Sequence, residues 1–275
     1  MTKRALLVGC TGGGLPECAN DPRLAARYLS TAPYNFDCHI VSDETITLEK
    51  WIAETLWLYG ADVAVLLYSG HGYRAKVGGK VQTGIWSGVP ISHALFEQSV
   101  LAPLRKNTGT LIRIYDCCFS GGGVRTARAV GKDKYATTIK CRPLCAEDEP
   151  VSSPHYHSVT EKDVVIAACS ARQVSYGMFD GNGAEFWHPL STRTEKEGLC
   201  SYFSYTLWPS LNYWQFGYTS ITKGVNKICQ PRSNAGLDYF AAGNGWRMAP
   251  GVKYPLPNVI LNKPAKVPDN ILIAT

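Results

Sequence analysis

Asp62-Val63-Ala64-Val65-Leu66-Leu67-Tyr68, followed at once by Ser69-Gly70-His71-Gly72, is the stretch on which the reading of this chain turns. The run is short and apolar at consecutive rather than alternate positions, as expected of a central parallel strand covered on both faces. A second run, Leu111-Ile112-Arg113-Ile114-Tyr115, ends in Asp116-Cys117-Cys118-Phe119-Ser120-Gly121. Three further strands are predicted at residues 4–10, 38–41 and 163–168, the first running into Thr11-Gly12-Gly13-Gly14. Helices are predicted between them. One covers residues 21–30, with Asp21 as cap and Pro22 in the first helical position. Another covers 47–59, where Leu48, Trp51, Ile52, Leu56 and Tyr59 recur at helical spacing. The last covers 90–104, with Ile91, Leu95, Phe96 and Leu101 on its apolar face. Strands alternating with helices predict an α/β fold, a central mostly parallel sheet flanked by helices on both faces.

Composition narrows the function classes. Of the 275 residues, 45% are hydrophobic and 18% charged, a globular balance that excludes wholesale disorder. No run approaches the roughly 18 apolar residues of a membrane span, so no membrane partner is expected. The net charge of +6 comes from scattered basic residues without a block, which argues against nucleic acid. Only Ala5 to Val8 is apolar near the start, short of the roughly 7–15 residues of a secretory core. A cytoplasmic location with most of the ten cysteines reduced is therefore expected. Residues 122–160 mix charges, prolines and serines without periodicity and read as a long, mobile, functional loop. A second irregular stretch follows to about residue 198, then helices near 200–211 and 218–229, and a proline-rich tail from residue 250 extended over the surface. Tyr202, Tyr205, Trp208, Tyr213 and Trp214 read as core packing.

Open α/β sheets place ligands at the carboxyl ends of their strands. Two neighbouring predicted strands end here in glycine-flanked loops, one carrying His71 and the other Cys117 and Cys118, with Cys118 47 positions after His71. A cysteine nucleophile needs its thiolate, and an adjacent imidazole supplies it by taking the proton. The backbone N–H groups of Gly72 and Cys118 are candidates for holding a developing oxyanion. Blander readings stand beside this one: a structural histidine next to buried thiols, or a nucleotide loop at Gly12-Gly13-Gly14, although that loop lacks both G-x-G-x-x-G and G-K-[ST]. Cys141, Cys145, His155 and His157 form a possible zinc set with no standard spacing, and neither metal nor cofactor is expected.

Tyr68-Ser69-Gly70-His71-Gly72 and Asp116-Cys117-Cys118-Phe119-Ser120-Gly121 resemble the two catalytic motifs of metacaspases, caspase-like cysteine peptidases. A histidine about 50 residues upstream of the cysteine agrees with that group. Ala5-Leu6-Leu7-Val8-Gly9, Cys18-Ala19-Asn20-Asp21, Leu101-Ala102-Pro103-Leu104 and Ala168-Cys169 extend the likeness from about residue 5 to 207. The resemblance implies a caspase-like fold in a single domain over 1–275, with a large-subunit-like part at 1–121, a linker loop at 122–160 and a small-subunit-like part at 161–275. It implies a monomeric cysteine endopeptidase acting on proteins or peptides. Cys118 would be the nucleophile, Cys117 its rival, and His71 the acid–base partner.

The resemblance also implies cleavage after Arg or Lys, through a pocket matched here by Cys18, Asp21 and Ser69. A further acidic position expected after Ala168-Cys169 is occupied by Ala171-Arg172, which puts that preference in doubt and leaves an acidic P1 as the alternative. A catalytically inactive caspase-like scaffold is a further alternative. Many metacaspases need Ca²⁺, held largely by aspartates after the catalytic His. Residues 74–93 contain no Asp or Glu, which predicts calcium-independent activity. Phe119 stands where the family often has His. The linker carries Arg125, Arg128, Lys132, Lys134, Lys140 and Arg142, so a basic preference would permit self-cleavage there.

Overall fold

A computed structural model describes residues 1–13, 15–77, 80–117, 137–139, 141–143, 161–168, 176–178, 200–201, 203–204, 207–208 and 260–273. The chain opens with β1 (Lys3–Cys10), passes through a 3-10 turn (Pro16–Ala19) into α1 (Asn20–Leu29), and continues as β2 (Asp37–Asp43), α2 (Leu48–Thr55) and β3 (Val63–Ser69). Three strands follow, β4 (His71–Val77), β5 (Lys80–Trp86) and β6 (Pro90–Ser92), then α3 (His93–Phe96), a π turn (Glu97–Leu101), α4 (Ala102–Lys106) and β7 (Thr110–Asp116). The remaining strands are β8 (Thr137–Ile139), β9 (Cys141–Pro143), β10 (Asp163–Ala167), β11 (Tyr176–Met178) and β12 (Ile260–Asn262).

Among the described residues the main sheet has the order β12-β10-β7-β3-β1-β2, parallel throughout except for β12, which runs antiparallel to β10. The pleat sends alternate side chains to opposite faces. Ala5 and Leu7 of β1, with Val63, Val65 and Leu67 of β3, face α1 and Cys200, Phe203, Leu207 and Trp208. Leu6, Val8 and Cys10, with Ala64, Leu66 and Tyr68, face α2 and the helical stretch around α4. Helices thus cover both faces, as the consecutive apolar runs predict. A smaller sheet, β6-β5-β4-β9, stands beside the carboxyl end of β3.

Five expectations change. Asp21 does not cap α1. Ala19 before the helix is already helical (φ −72, ψ −25), whereas a capping residue needs an extended backbone, and Asp21 turns its carboxylate elsewhere. The predicted helix 90–104 begins instead as strand. Ile91 is opposite Ile85, Ser92 is the extended cap accepting from Leu95 N at 3.1 Å, and Leu95 is exposed. Pro90 marks the first residue of an edge strand, where its missing N–H costs nothing. His71 and Gly72 open strand β4 rather than sitting in a loop, and the hairpin from β4 to β5 was not read from the sequence. Residues 122–160 are not loop throughout, since β8 and β9 lie within them. The tail is not wholly superficial: Val267, Ile271 and Leu272 are buried in the α1-side core, where they cover β10. The predicted helix near 200–211 is helical at the described positions 203–204 and 207–208, while that at 218–229 lies outside the described residues.

Candidate active site

The two glycine-flanked motifs meet at the carboxyl ends of β3 and β7, which pair in register with Ser69 opposite Asp116. Gly70 N–H donates to the Asp116 carbonyl at 3.2 Å, tying the motifs together one residue before His71 and one before Cys117. Glycine is required at 70 because a Cβ there would stand 2.4 Å from the Tyr68 hydroxyl. That hydroxyl lies 2.9 Å from the carbonyls of both His71 and Trp86, the first opposed pair of β4 and β5, so it clamps the hairpin where the imidazole emerges. Burial and the neighbouring thiols Cys10, Cys117 and Cys18 hold the Tyr68 pKa well above its ordinary value, keeping it a donor.

His71 is buried, 4% exposed, with its ring edge-on to Trp86 at 5.4 Å. Its Nε2 lies 3.2 Å from the Gly13 carbonyl. A carbonyl only accepts, so Nε2 carries the hydrogen and Nδ1 is the basic nitrogen. Gly13 therefore belongs to the site. The triple glycine after β1 was weighed in the sequence as a phosphate loop; here its carbonyl orients an imidazole, at a positive φ of 75 that favours glycine. Gly72 lies in β4 between Ile85 of β5 and Cys141 of β9, so residues 141–143 run directly past it.

Cys117 is fully buried in the apolar cluster with Tyr68, Tyr115 and Cys10. Cys10 shows what that environment does: burial first, with nearby Asp43 and Glu44, pushes its thiol up to about 11. Cys118, the expected nucleophile, lies outside the described residues, as do Phe119, Ala171, Arg172, Cys145, His155 and His157. The linker bases Arg125, Arg128, Lys132, Lys134 and Lys140 also lie outside them.

Beneath the site, on the α1 face, is a buried polar cluster. Cys18, Asp21, Ser69 and Asp116 are all fully buried. The close approach of Cys18 to β1, where a Cβ on Gly9 would meet the Cys18 carbonyl at 1.9 Å, swings the start of α1 over the sheet end. Asp21 thereby accepts from the Ser69 hydroxyl on Oδ2 and from Ser201 N at 2.7 Å on Oδ1. Asp116 Oδ2 accepts from the hydroxyls of Ser201 and, at 2.9 Å, Ser204. The structure thus joins Asp21 and Ser69 by a hydrogen bond, buries Cys18 at the start of the same helix region, and adds Asp116, which sequence reasoning missed. The signal was present: Asp116 immediately precedes the cysteine pair and falls on the same pleat face as Ser69.

A parallel α/β sheet with a buried imidazole at the end of one central strand and Cys117 at the end of its neighbour defines a class, α/β proteins with a candidate site at their strand ends. Within that class the chain belongs to the peptidase C14 caspase-domain family, whose model matches residues 2–232. The resemblance to metacaspases is consistent with this membership. A crystallised protein from Geobacter sulfurreducens, a structural-genomics target, is similar at 15% identity and a TM-score of 0.50, covering 100% of this chain and 97% of that one. Caspase-1 from Spodoptera frugiperda is similar at 10% identity and a TM-score of 0.49, covering 96% of this chain and 88% of that one. No curated protein matches.

Proposed function

We propose that this caspase-family chain is a cysteine endopeptidase of metacaspase type that cleaves peptide bonds after Arg or Lys. The observation that carries this reading is the held imidazole: the Gly13 carbonyl fixes the His71 tautomer that leaves Nδ1 basic, beside the strand end that delivers Cys118. Cys118 gives its thiol proton to His71 Nδ1, and its sulfur attacks the scissile carbonyl carbon. The N–H groups of Gly72 and Cys118 receive the negative oxygen. Collapse breaks the C–N bond, His71 returns the proton to the leaving amine, and water activated by His71 hydrolyses the thioester. Cys117 is the poorer nucleophile, since its side chain is fully buried and closed to a peptide substrate.

Basic specificity is supported by two buried carboxylates, Asp21 and Asp116, with the Ser69 hydroxyl at the same strand end. Paired carboxylates suit bidentate, charge-assisted bonds to a guanidinium. The sequence doubt raised by Ala171-Arg172 weakens, because Asp116 supplies a second acidic group. Residues 74–93, without a carboxylate, support calcium-independent turnover. Self-processing within residues 122–160 is part of the same proposal.

A P1-diverse fluorogenic peptide library tests the whole reading, using wild type, Cys118→Ala and Cys117→Ala, each with EDTA and with Ca²⁺. Turnover after Arg or Lys that vanishes only in Cys118→Ala and ignores EDTA is expected. Preference for Asp at P1 refutes the pocket, and restoration by Ca²⁺ after chelation refutes the calcium reading. Intact mass after incubation, beside Cys118→Ala, reports self-processing.

A further inference from the structure

The polar cluster contains a residue whose position in the chain makes it a coupling point. Ser201 is fully buried and touches both acidic side chains of the proposed pocket. Its backbone N–H donates to Asp21 Oδ1 at 2.7 Å, and its hydroxyl donates to Asp116 Oδ2. The hydroxyl direction is fixed from the other side, because Ser204 N–H donates to Ser201 Oγ at 3.0 Å. Ser204 Oγ adds a donor at 2.9 Å to the same Asp116 oxygen. Asp21 stands on α1 and Asp116 at the end of β7, where Ser69, paired opposite Asp116, donates to Asp21. Ser201 bonds both acids directly, from 180 residues beyond Asp21 and 85 beyond Asp116.

We propose that Ser201, supported by Ser204, is a positioning residue for the pocket, holding Asp21 and Asp116 at the spacing that lets one cationic P1 side chain engage both. This deepens the basic-specificity reading and rests on it. Hydroxyl and amide donors set the direction in which carboxylate oxygens point, so Ser201 orients the acidic pair for a guanidinium. The consequence is that the pocket is assembled across the chain: its acids come from residues before the linker, and the brace that sets them comes from after it. Docking of Ser201 and Ser204 against α1 and β7 is then a condition for recognising a basic residue, separate from formation of the His71 site.

The test compares Ser201→Ala, Ser201→Thr, Ser204→Ala and Asp21→Asn in the full chain. Steady-state kinetics on Arg and Lys peptides, inhibition by benzamidine as a small cationic probe, and the rate of Cys118 alkylation by iodoacetamide are the readouts. Ser201→Ala keeps the N–H on Asp21 and removes the hydroxyl from Asp116. It is expected to raise KM for the Arg peptide and Ki for benzamidine by about tenfold, the usual scale for one hydrogen bond to a charged group. The value of kcat and the alkylation rate are expected to stay within about threefold, since the imidazole site is untouched. Ser201→Thr, which restores a hydroxyl, is expected to recover most of the loss. Should Ser201→Ala not fold, Ser204→Ala carries the test with a smaller rise in KM. Unchanged KM and Ki in Ser201→Ala overturn the proposal, as does a Thr variant no better than Ala, or a loss confined to kcat and alkylation. If Asp21→Asn raises KM and Ser201→Ala does not, the Ser201 assignment alone fails. If Asp21→Asn leaves KM unchanged, basic specificity fails and the assignment with it.

Discussion

Buried carboxylates occur at both ends of the sheet, and they are held in opposite ways. Asp163, the first residue of β10, is gripped by arginines: Arg113 donates to both oxygens at 2.8 and 2.7 Å, and Arg105 Nε donates at 2.6 Å. Arg105 in turn binds both oxygens of Glu97. At the carboxyl ends, Asp21 and Asp116 receive hydroxyls and an amide from Ser69, Ser201 and Ser204. An arginine cage neutralises a carboxylate and welds elements together. Hydroxyl and amide donors orient it. The amino end of the sheet therefore works as a structural clamp between β7, β10 and the α4 region, while the carboxyl end carries the acids of the proposed pocket.

Variants at each end can break that contrast. His71→Ala at the carboxyl end is expected to lower kcat/KM on an Arg peptide by about 10³-fold, within the range of general acid–base loss, with little change in the thermal midpoint. A comparable loss of stability would show that the strand end is structural too. Asp163→Asn leaves two buried guanidinium groups short of their partner. Breaking such a network costs about 3–5 kcal/mol, and the midpoint should fall by roughly 10 °C while kcat/KM well below it stays within about threefold. Loss of turnover in a folded Asp163→Asn protein would erase the division between the ends.

Asp21→Asn should reverse the pattern of Asp163→Asn, with KM for Arg up by about 10²-fold and a smaller fall in midpoint. The smallest effect separates thiols from carboxylates. Burial pushes Cys10 up to about 11 and Cys38 to about 12 from an ordinary 9.0. The folded chain then holds those protons more tightly than the unfolded one. The stability they contribute is fully present below pH 9 and is lost as pH rises through about 11 to 12. Thermal melts from pH 8 to 10.5 should show a shallow decline, and Cys10→Ala should flatten it.

Much of the main sheet was legible because its strands are read locally. The runs ending at Tyr68 and Tyr115 are apolar at consecutive positions, and only a doubly covered strand needs that. Helix α2 was legible from the helical spacing that buries Trp51, and the structure adds a Thr47 cap, whose hydroxyl accepts from Lys50 N at 3.3 Å. The hairpin at His71–Trp86 was not legible. Arg74 to Lys80 is polar and glycine-rich, and its pairing depends on Tyr68 clamping the carbonyls of His71 and Trp86. Ile91 was assigned to a helix because a lone apolar residue fits either period, and only its opposition to Ile85 decides. In the candidate site, His71 was singled out from motif and spacing, and Asp21 and Ser69 from the family resemblance. Asp116 was legible from its place before the cysteine pair, whereas Gly13 and Ser201 were not, since a carbonyl and an isolated serine carry no signal of their own.

By itself the sequence determined the parallel α/β sheet and the placing of a histidine and a cysteine doublet after two neighbouring strands. These follow from apolar periodicity and from residue types placed next to strand termini, both local properties of the chain. Only the tertiary structure decided which nitrogen of His71 faces the Gly13 carbonyl, which carboxylates share Ser201 as a donor and which are spent in an arginine cage. Those answers depend on donors and acceptors brought together from as far as 180 residues apart. A hydrogen bond acts over about 3 Å, a distance that no spacing in the sequence can specify.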